Sequence, residues 1–315
     1  MTVVAEVVRN GVVESRHHGS VLAVDAAGTR VIAVGDVDAP IFPRSSMKPL
    51  QAVGMLRAGW SPPDDEQVAL ACASHSGEPM HVAVVRRTLA AAGLDETALD
   101  NTPDLPLNVA AAREIVRAGG GPTPLLQNCS GKHAAMLATC VAVGAPTVGY
   151  RAADHPVQVA IRRAVEDLAG EPVSAVAVDG CGAPLFAISL TGLARAFTRI
   201  ATSAPGSAEH RVAAAMRARP VLVGGTGRDV TALMQAVDGL IAKDGAEGVY
   251  AAATADGRAV ALKVDDGAGR ARAPIMVAAL RRIAVDAAGL DAVGTVPVLG
   301  HGEPVGLVRV AASLA

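Results

Sequence analysis

Ser45 and Lys48 stand three residues apart in "PRSSMKPL", residues 43–50. On a helix that spacing puts both side chains on one face, about 5–6 Å apart at Cβ, so an amine can reach a hydroxyl. Serine alone is a weak nucleophile, and an amine neutralised by burial can take its proton. The same residues suit an ordinary helix start, with Ser45 or Ser46 as cap, Pro49 in the first turn and Lys48 in solvent. Ser74, His75 and Ser76 follow in "ACASHSGEP", residues 71–79. They read as a site wall or as a helix C-terminal turn stopped at Gly77.

"QNCSGKHAAML", residues 127–137, sets Cys129 and Lys132 three apart where an apolar helix opens. A helix N-terminus and a nearby ammonium both lower a thiol pKa, which makes Cys129 a candidate thiolate. Cys181, in "VDGCGAP" beside Asp179, is its candidate thiol partner. Two thiolates and a nitrogen suit Zn²⁺, although a lysine ligand must first lose its proton. No C-x-x-C pair supports a metal, and quiet burial is the alternative reading; Cys72 and Cys140 are assigned to it. "AKDGAEGVYAAA", residues 242–253, places Lys243, Asp244 and Gly245 before a strand, as a cleft border or an ordinary turn. "GGTGRDVTALM", residues 224–234, is a Gly-rich turn into a helix that can hold a carboxylate on backbone N–H groups. It is not a nucleotide-binding loop, because neither a Walker A nor a G-x-G-x-x-G pattern is present.

Strand-like runs open the chain: "VVAEVVRN", "SVLAVDA" and "TRVIAVGD". Helical periodicity then dominates from "KPLQAVGMLRAGW" to about residue 236, interrupted by a strand and sharp turn at "SAVAVDGCGAP". Strands return at "GVYAAATA", "RAVALKVDD" and "GTVPVLG", around a helix starting near Pro274. Strands at both ends with helices between predict an α+β protein whose sheet joins the N- and C-terminal segments. The 315 residues are 51% hydrophobic, enough for one large domain or two closely joined ones. With aromatics at 2%, the core must be built from Ala, Val, Leu and Ile. A net charge of −2 without a dense basic cluster argues against nucleic acid and anionic membrane as partners. No long apolar span and no basic-then-apolar leader is visible, so a soluble cytoplasmic protein is expected.

Seven segments together resemble the rhizobial-type L-asparaginases, the asparaginase II family: "RSSMKP", "CASHSGE", "NCSGKH", "DHPVQ", "DGCGAP", "GGTGRD" and "AKDGAEGVY", in that order. The resemblance implies a single domain over residues 1–315, its sheet from about 1–40 and 240–310 and its helices within about 45–236. The implied fold is that of serine β-lactamases, penicillin-binding proteins and serine-type glutaminases. The implied reaction is hydrolysis of L-asparagine to L-aspartate and ammonia. Two Ser–Lys tandems would share the site, Ser45 with Lys48 and Ser74 with Lys243. Lys48 would deprotonate Ser45 and Ser74 would relay a proton to the leaving nitrogen. Arg44, Asp179, His133 and Gly245 would border the substrate, Cys129, Lys132 and Cys181 would hold Zn²⁺, and the protein would be a homodimer.

Three rivals stand beside this reading. A β-lactamase-like acyl hydrolase shares the S-x-x-K logic, but no Ser-Asp-Asn follows and Lys-Asp-Gly lacks the usual central hydroxyl. A serine-type glutaminase differs by one methylene in its substrate, worth only about 1–3 kcal/mol of discrimination. A catalytically silent amino-acid or metal-binding protein would keep the fold without the chemistry.

Overall fold

The computed structural model describes residues 2–314. β1 (Val3–Arg9) and β2 (Val12–Val24) are joined by Asn10-Gly11, both at positive φ (47° and 82°). That conformation matches the twist of the strands a two-residue hairpin connects, and Asn and Gly adopt it most readily. β2 is longer than the run read from sequence. Its first half pairs with β1, and its second half pairs with β3 (Arg30–Val34) and with a strand from far along the chain. Gly19 sits at the changeover, where a Cβ would stand 2.2 Å from the Lys263 carbonyl oxygen.

The remaining strands are β4 (Pro40–Ile41), β5 (Ala175–Val178), β6 (Pro184–Ser189), β7 (Ile241–Asp244), β8 (Val249–Ala253), β9 (Ala259–Val264), β10 (Pro297–Gly300) and β11 (Glu303–Val310). The large sheet runs β10-β11-β1-β2-β9-β8-β7, with β3 also on β2, and every pairing is antiparallel. The two chain ends therefore meet in one sheet, β11 lying directly on β1. Every residue of β8 is buried, so both faces of the sheet are covered there. Helices Leu190–Ala201 and Arg272–Arg282 pack on β8 and β9. A second, three-stranded sheet runs β4-β6-β5; β5 is the strand read at "SAVAVDGCGAP", whereas β6 falls where the sequence was read as helical.

The helical block spans Lys48 to Ala236 and is packed from small side chains. Its central contact joins helix Lys48–Ala58 to helix Pro156–Ala169. Gly54 lets the two backbones approach, since a Cβ there would stand 2.9 Å from Ile161 Cα and 3.2 Å from Ala164 Cβ. The Lys48–Ala58 helix carries Lys48 at its first position, so this contact also fixes where the amine enters the interior. Among the described residues no helix is long and apolar enough to cross a membrane. Overpacking at a fully buried helix crossing destabilises by about 1–3 kcal/mol. Gly54→Val should lower the urea midpoint accordingly, and an unchanged midpoint would show that the crossing is not tight.

Candidate active site

Ser45 lies in a short 3-10 turn, Arg44–Met47, that precedes the Lys48 helix. Arg44 holds a positive φ of 52°, a costly conformation for a non-glycine residue, and Arg44 Nε donates to Asp179 Oδ1 at 2.8 Å. Neither Ser45 nor Ser46 caps the helix: Met47 is the N-cap, and Ser46 Oγ donates to the Lys243 carbonyl at 2.9 Å. Lys48 is not solvated. It is 1% exposed, and its Nζ meets the Ala73 carbonyl at 2.6 Å, Ser74 Oγ at 2.9 Å and Cys129 Sγ at 3.0 Å.

This geometry corrects the pairing expected from sequence. The i, i+3 argument assumed that Ser45 and Lys48 share an α-helix, but the helix begins at Lys48 and the amine is drawn inward by three acceptors. Lys48 therefore pairs with Ser74. Among the described residues Ser45 Oγ has no hydrogen-bond partner. Lys243 does not reach Ser74 either; its Nζ donates to Asp244 Oδ1 at 2.5 Å and to the Asp244 carbonyl at 2.6 Å.

Ser74 sits on an irregular segment beyond helix Asp65–Ala71. Gly77 does not stop that helix, which ends at Cys72; Gly77 is needed because a Cβ would lie 2.8 Å from Pro106. Ser74 N–H donates to the Val223 carbonyl and His75 N–H to the Asn128 carbonyl, so the segment is tied on both sides. His75 is fully buried, accepts from Gly77 N–H on Nδ1 and so donates from Nε2 to Ser130 Oγ at 2.9 Å. Burial, then the neighbouring His81 and Lys48, push its pKa well down and keep it neutral.

Ser45 and Ser74 open on a common cavity of about 450 Å³, together with Gly245, Asp244, Arg228 and Arg272. Gly245 permits the close fit of the β7 end to the serine turn, since a Cβ there would stand 2.6 Å from the Pro43 carbonyl oxygen. Asp244 is buried and accepts from Lys243, from Arg228 Nη2 at 2.7 Å and from Arg272 Nη1 at 3.5 Å. Burial alone would raise its pKa, but these three cations hold it far below the usual carboxylate range. Arg228 and Arg272 were not singled out from the sequence. Arg228 was hidden inside "GGTGRD", and nothing distinguishes Arg272 from the other arginines of its helix.

Next to this cleft, Lys132 Nζ lies 3.2 Å from Cys181 Sγ, and Cys129 Sγ–H donates to Asn128 Oδ1 at 3.1 Å. The Cys181 thiol is pulled down and the Cys129 thiol, read from the sequence as a candidate thiolate, is pushed up. The neighbouring Cys129 thiol and then the Lys132 charge overcome burial and bring Cys181 down to about 5. The neighbouring Cys181 sulfur, together with burial, pushes Cys129 up to about 12. Asp179 and Cys181 share the tight β5–β6 turn; Lys132 and Arg44 outweigh burial and lower the Asp179 carboxyl. Among the described residues no three His, Cys, Asp or Glu side chains gather to hold a metal. The donor set that does converge is two sulfurs and one amine, which fits a thiophilic dication if Lys132 gives up its proton. His133 is fully buried with Nδ1 2.7 Å from Tyr150 Oη, and it is not among the residues lining the cleft.

Burial lowers Lys243 to about 8, with Lys48 adding to the shift against the pull of Asp244. Between about 8 and its ordinary value of 10.5 the unfolded chain binds more protons than the folded one, so stability rises with pH across that window. The penalty is fully present below about 8 and gone above 10.5. The urea midpoint of the wild type, measured against Lys243→Met, should therefore rise as pH increases from about 8 to about 10. A difference independent of pH would contradict the buried-amine assignment.

A solved structure described as a β-lactamase from Mycobacterium bovis is similar at 13% identity and a TM-score of 0.33, over 81% of this chain and 89% of that one. No curated protein matches the chain. The family model of L-asparaginase II matches residues 5–310, which takes in every residue of the cleft and of the sulfur–lysine cluster. On that match the chain belongs to the L-asparaginase II family, and it is an asparaginase-type amidohydrolase acting on a small-molecule amide.

Proposed function

We propose that the chain hydrolyses L-asparagine to L-aspartate and ammonia through an acyl-enzyme on Ser74, with Lys48 as general base. One observation carries the reading: Ser74 Oγ and Lys48 Nζ stand 2.9 Å apart at the floor of the cleft. That separation is within the reach a nucleophile and its base need. A neutral lysine has two N–H groups and one lone pair. The N–H groups would serve the Ala73 carbonyl and Cys129 Sγ, which leaves the lone pair for the Ser74 hydroxyl proton.

In this mechanism Lys48 takes the proton as Ser74 Oγ attacks the side-chain amide carbon. The oxyanion is met by the N–H groups of Ser45 and Ala246, which border the cleft and have no hydrogen-bond partner among the described residues. Preorganised donors of this kind are each worth about 10²–10³ in rate. The Lys48 ammonium returns its proton to the departing nitrogen, and ammonia leaves. Water, deprotonated by Lys48, then cleaves the ester and frees aspartate.

A second reading makes Ser45 the nucleophile and Ser74 the relay between it and Lys48. It is favoured by the unpartnered Ser45 hydroxyl at the cleft and the strained Arg44 that presents it. Glutamine is the nearest alternative substrate, since one methylene is worth only about 1–3 kcal/mol. Cys129, Lys132 and Cys181 would hold Zn²⁺, which when bound supplies a positive charge beside the substrate. A homodimer and a cytoplasmic location are proposed with this function.

Ser74→Ala should lose at least about 10³-fold in kcat and give no covalent adduct by intact mass, whereas Ser45→Ala should still acylate. An adduct on Ser74→Ala and none on Ser45→Ala would exchange the roles. Metal analysis of the purified protein should find about one zinc per chain, lost in Cys181→Ser. Protein that is zinc-free yet fully active would remove the metal from the account.

A further inference from the structure

The segment "GGTGRD" was read from sequence as a turn that holds a carboxylate on its backbone. It does hold one, but the carboxylate belongs to the same chain. Thr226 N–H donates to Glu78 Oε1 at 2.9 Å and Thr226 Oγ1 to Glu78 Oε2 at 2.7 Å, while Gly225 N–H donates to Thr231 Oγ1. Gly225 has a φ of 133°, and a Cβ there would lie 2.0 Å from Ser76 Oγ. The loop is thus latched onto the segment that carries Ser74, with the N–H groups of Gly224, Gly225, Thr226 and Arg228 all engaged within the chain. What the latch delivers to the cleft is the side chain of Arg228.

Arg228 donates to Asp244 Oδ2 at 2.7 Å and, weakly, to the Ser74 carbonyl at 3.4 Å. A guanidinium has five N–H donors, so most of its hydrogen-bonding capacity is uncommitted among the described residues. The Asp244 carboxylate cannot neutralise it alone, because Lys243 and Arg272 share the same two oxygens. Two further carboxylates stand nearby: Asp229, 3.6 Å from Arg272, and Glu78, held by Thr226. Lys243, Arg228 and Arg272 all draw on the one Asp244 carboxylate, so the Arg228 guanidinium at the cleft is only partly balanced when Lys243 is protonated. Arg272 is the locked member, with Nη1 on the Gly245 carbonyl at 2.8 Å and its guanidinium 5.8 Å from the Tyr250 ring centroid. Arg228 is the more exposed of the two, at 24% against 15%.

We infer that Arg228 selects the substrate by its free α-carboxylate, gripping that group beside Ser74 while the side-chain amide meets the nucleophile. The inference rests on the amidohydrolase reading above and deepens it. The cleft is then specific for small amides that carry a carboxylate close to the reacting carbonyl, and it rejects the same amides when the carboxylate is blocked. A planar fork with several free donors recognises a carboxylate better than a single ammonium can.

The test compares kcat/KM for L-asparagine and for its α-amide in the wild type, Arg228→Gln and Arg228→Lys. The wild type should prefer the free acid strongly. Arg228→Gln should lose about 10- to 100-fold on L-asparagine, mainly in KM, and change little on the α-amide, so that the preference collapses. Arg228→Lys should recover part of it, and it also serves if Arg228→Gln fails to fold. Equal losses on both substrates, or a wild type indifferent to the carboxylate, would overturn the inference. Should neither amide be turned over, the proposed function fails separately, and the inference is read from succinate binding by calorimetry. At least about tenfold weaker binding to Arg228→Gln supports it; equal affinity or no binding to the wild type overturns it.

Discussion

The arrangement of this chain depends on one buried amine. Lys48 is almost wholly removed from solvent, and an amine so placed must find acceptors or destabilise the fold by several kcal/mol. It finds them on two segments distant in sequence, the Ala73–Ser74 stretch and Cys129 at the start of helix Ser130–Ala142. Satisfying Lys48 therefore requires the serine turn, the Ser74 segment and the sulfur cluster to be in place together. The Gly54 helix crossing and the His75–Ser130 hydrogen bond serve the same end from either side.

From that point the site divides by charge. On one side the Cys181 sulfur, its thiol pKa pulled down, faces Lys132, while Asp179 balances Arg44. On the other, Asp244 stands among Lys243, Arg228 and Arg272. Lys48 lies between the two groups, its nitrogen against Cys129 and within electrostatic reach of Lys243. Neutral Leu107 and Asn128 complete the cleft wall. On the proposed reading, the cavity would supply a nucleophile, a base, backbone donors and a positive end, the parts an amide bearing a carboxylate requires.

Much of this was legible in the sequence as segments, and less of it as contacts. "RSSMKP", "CASHSGE", "NCSGKH", "DGCGAP" and "AKDGAEG" do converge, and the sheet does join both chain ends. Lys132 does meet Cys181, but the partners of Lys48 and Lys243 were not legible, because spacing predicts only neighbours on one helix while Lys48 reaches across elements. The balance between the two thiols was not legible either: Cys129 does sit at a helix start, but the Cys181 sulfur brought beside it raises its pKa. β11 escaped notice because Pro304 and Gly306 break its alternation, yet it is the strand that links β10 to β1. Arg272 gave no signal at all, since its role comes from where Asp244 and Gly245 lie in space.

The central claim is that Lys48 acts as the base for Ser74, and single-turnover acylation of Lys48→Met by L-asparagine tests it most directly. Loss of the base should slow acylation by about 10²–10⁴-fold while leaving substrate affinity near the wild-type value. Acylation at the wild-type rate in a folded Lys48→Met protein would contradict the account.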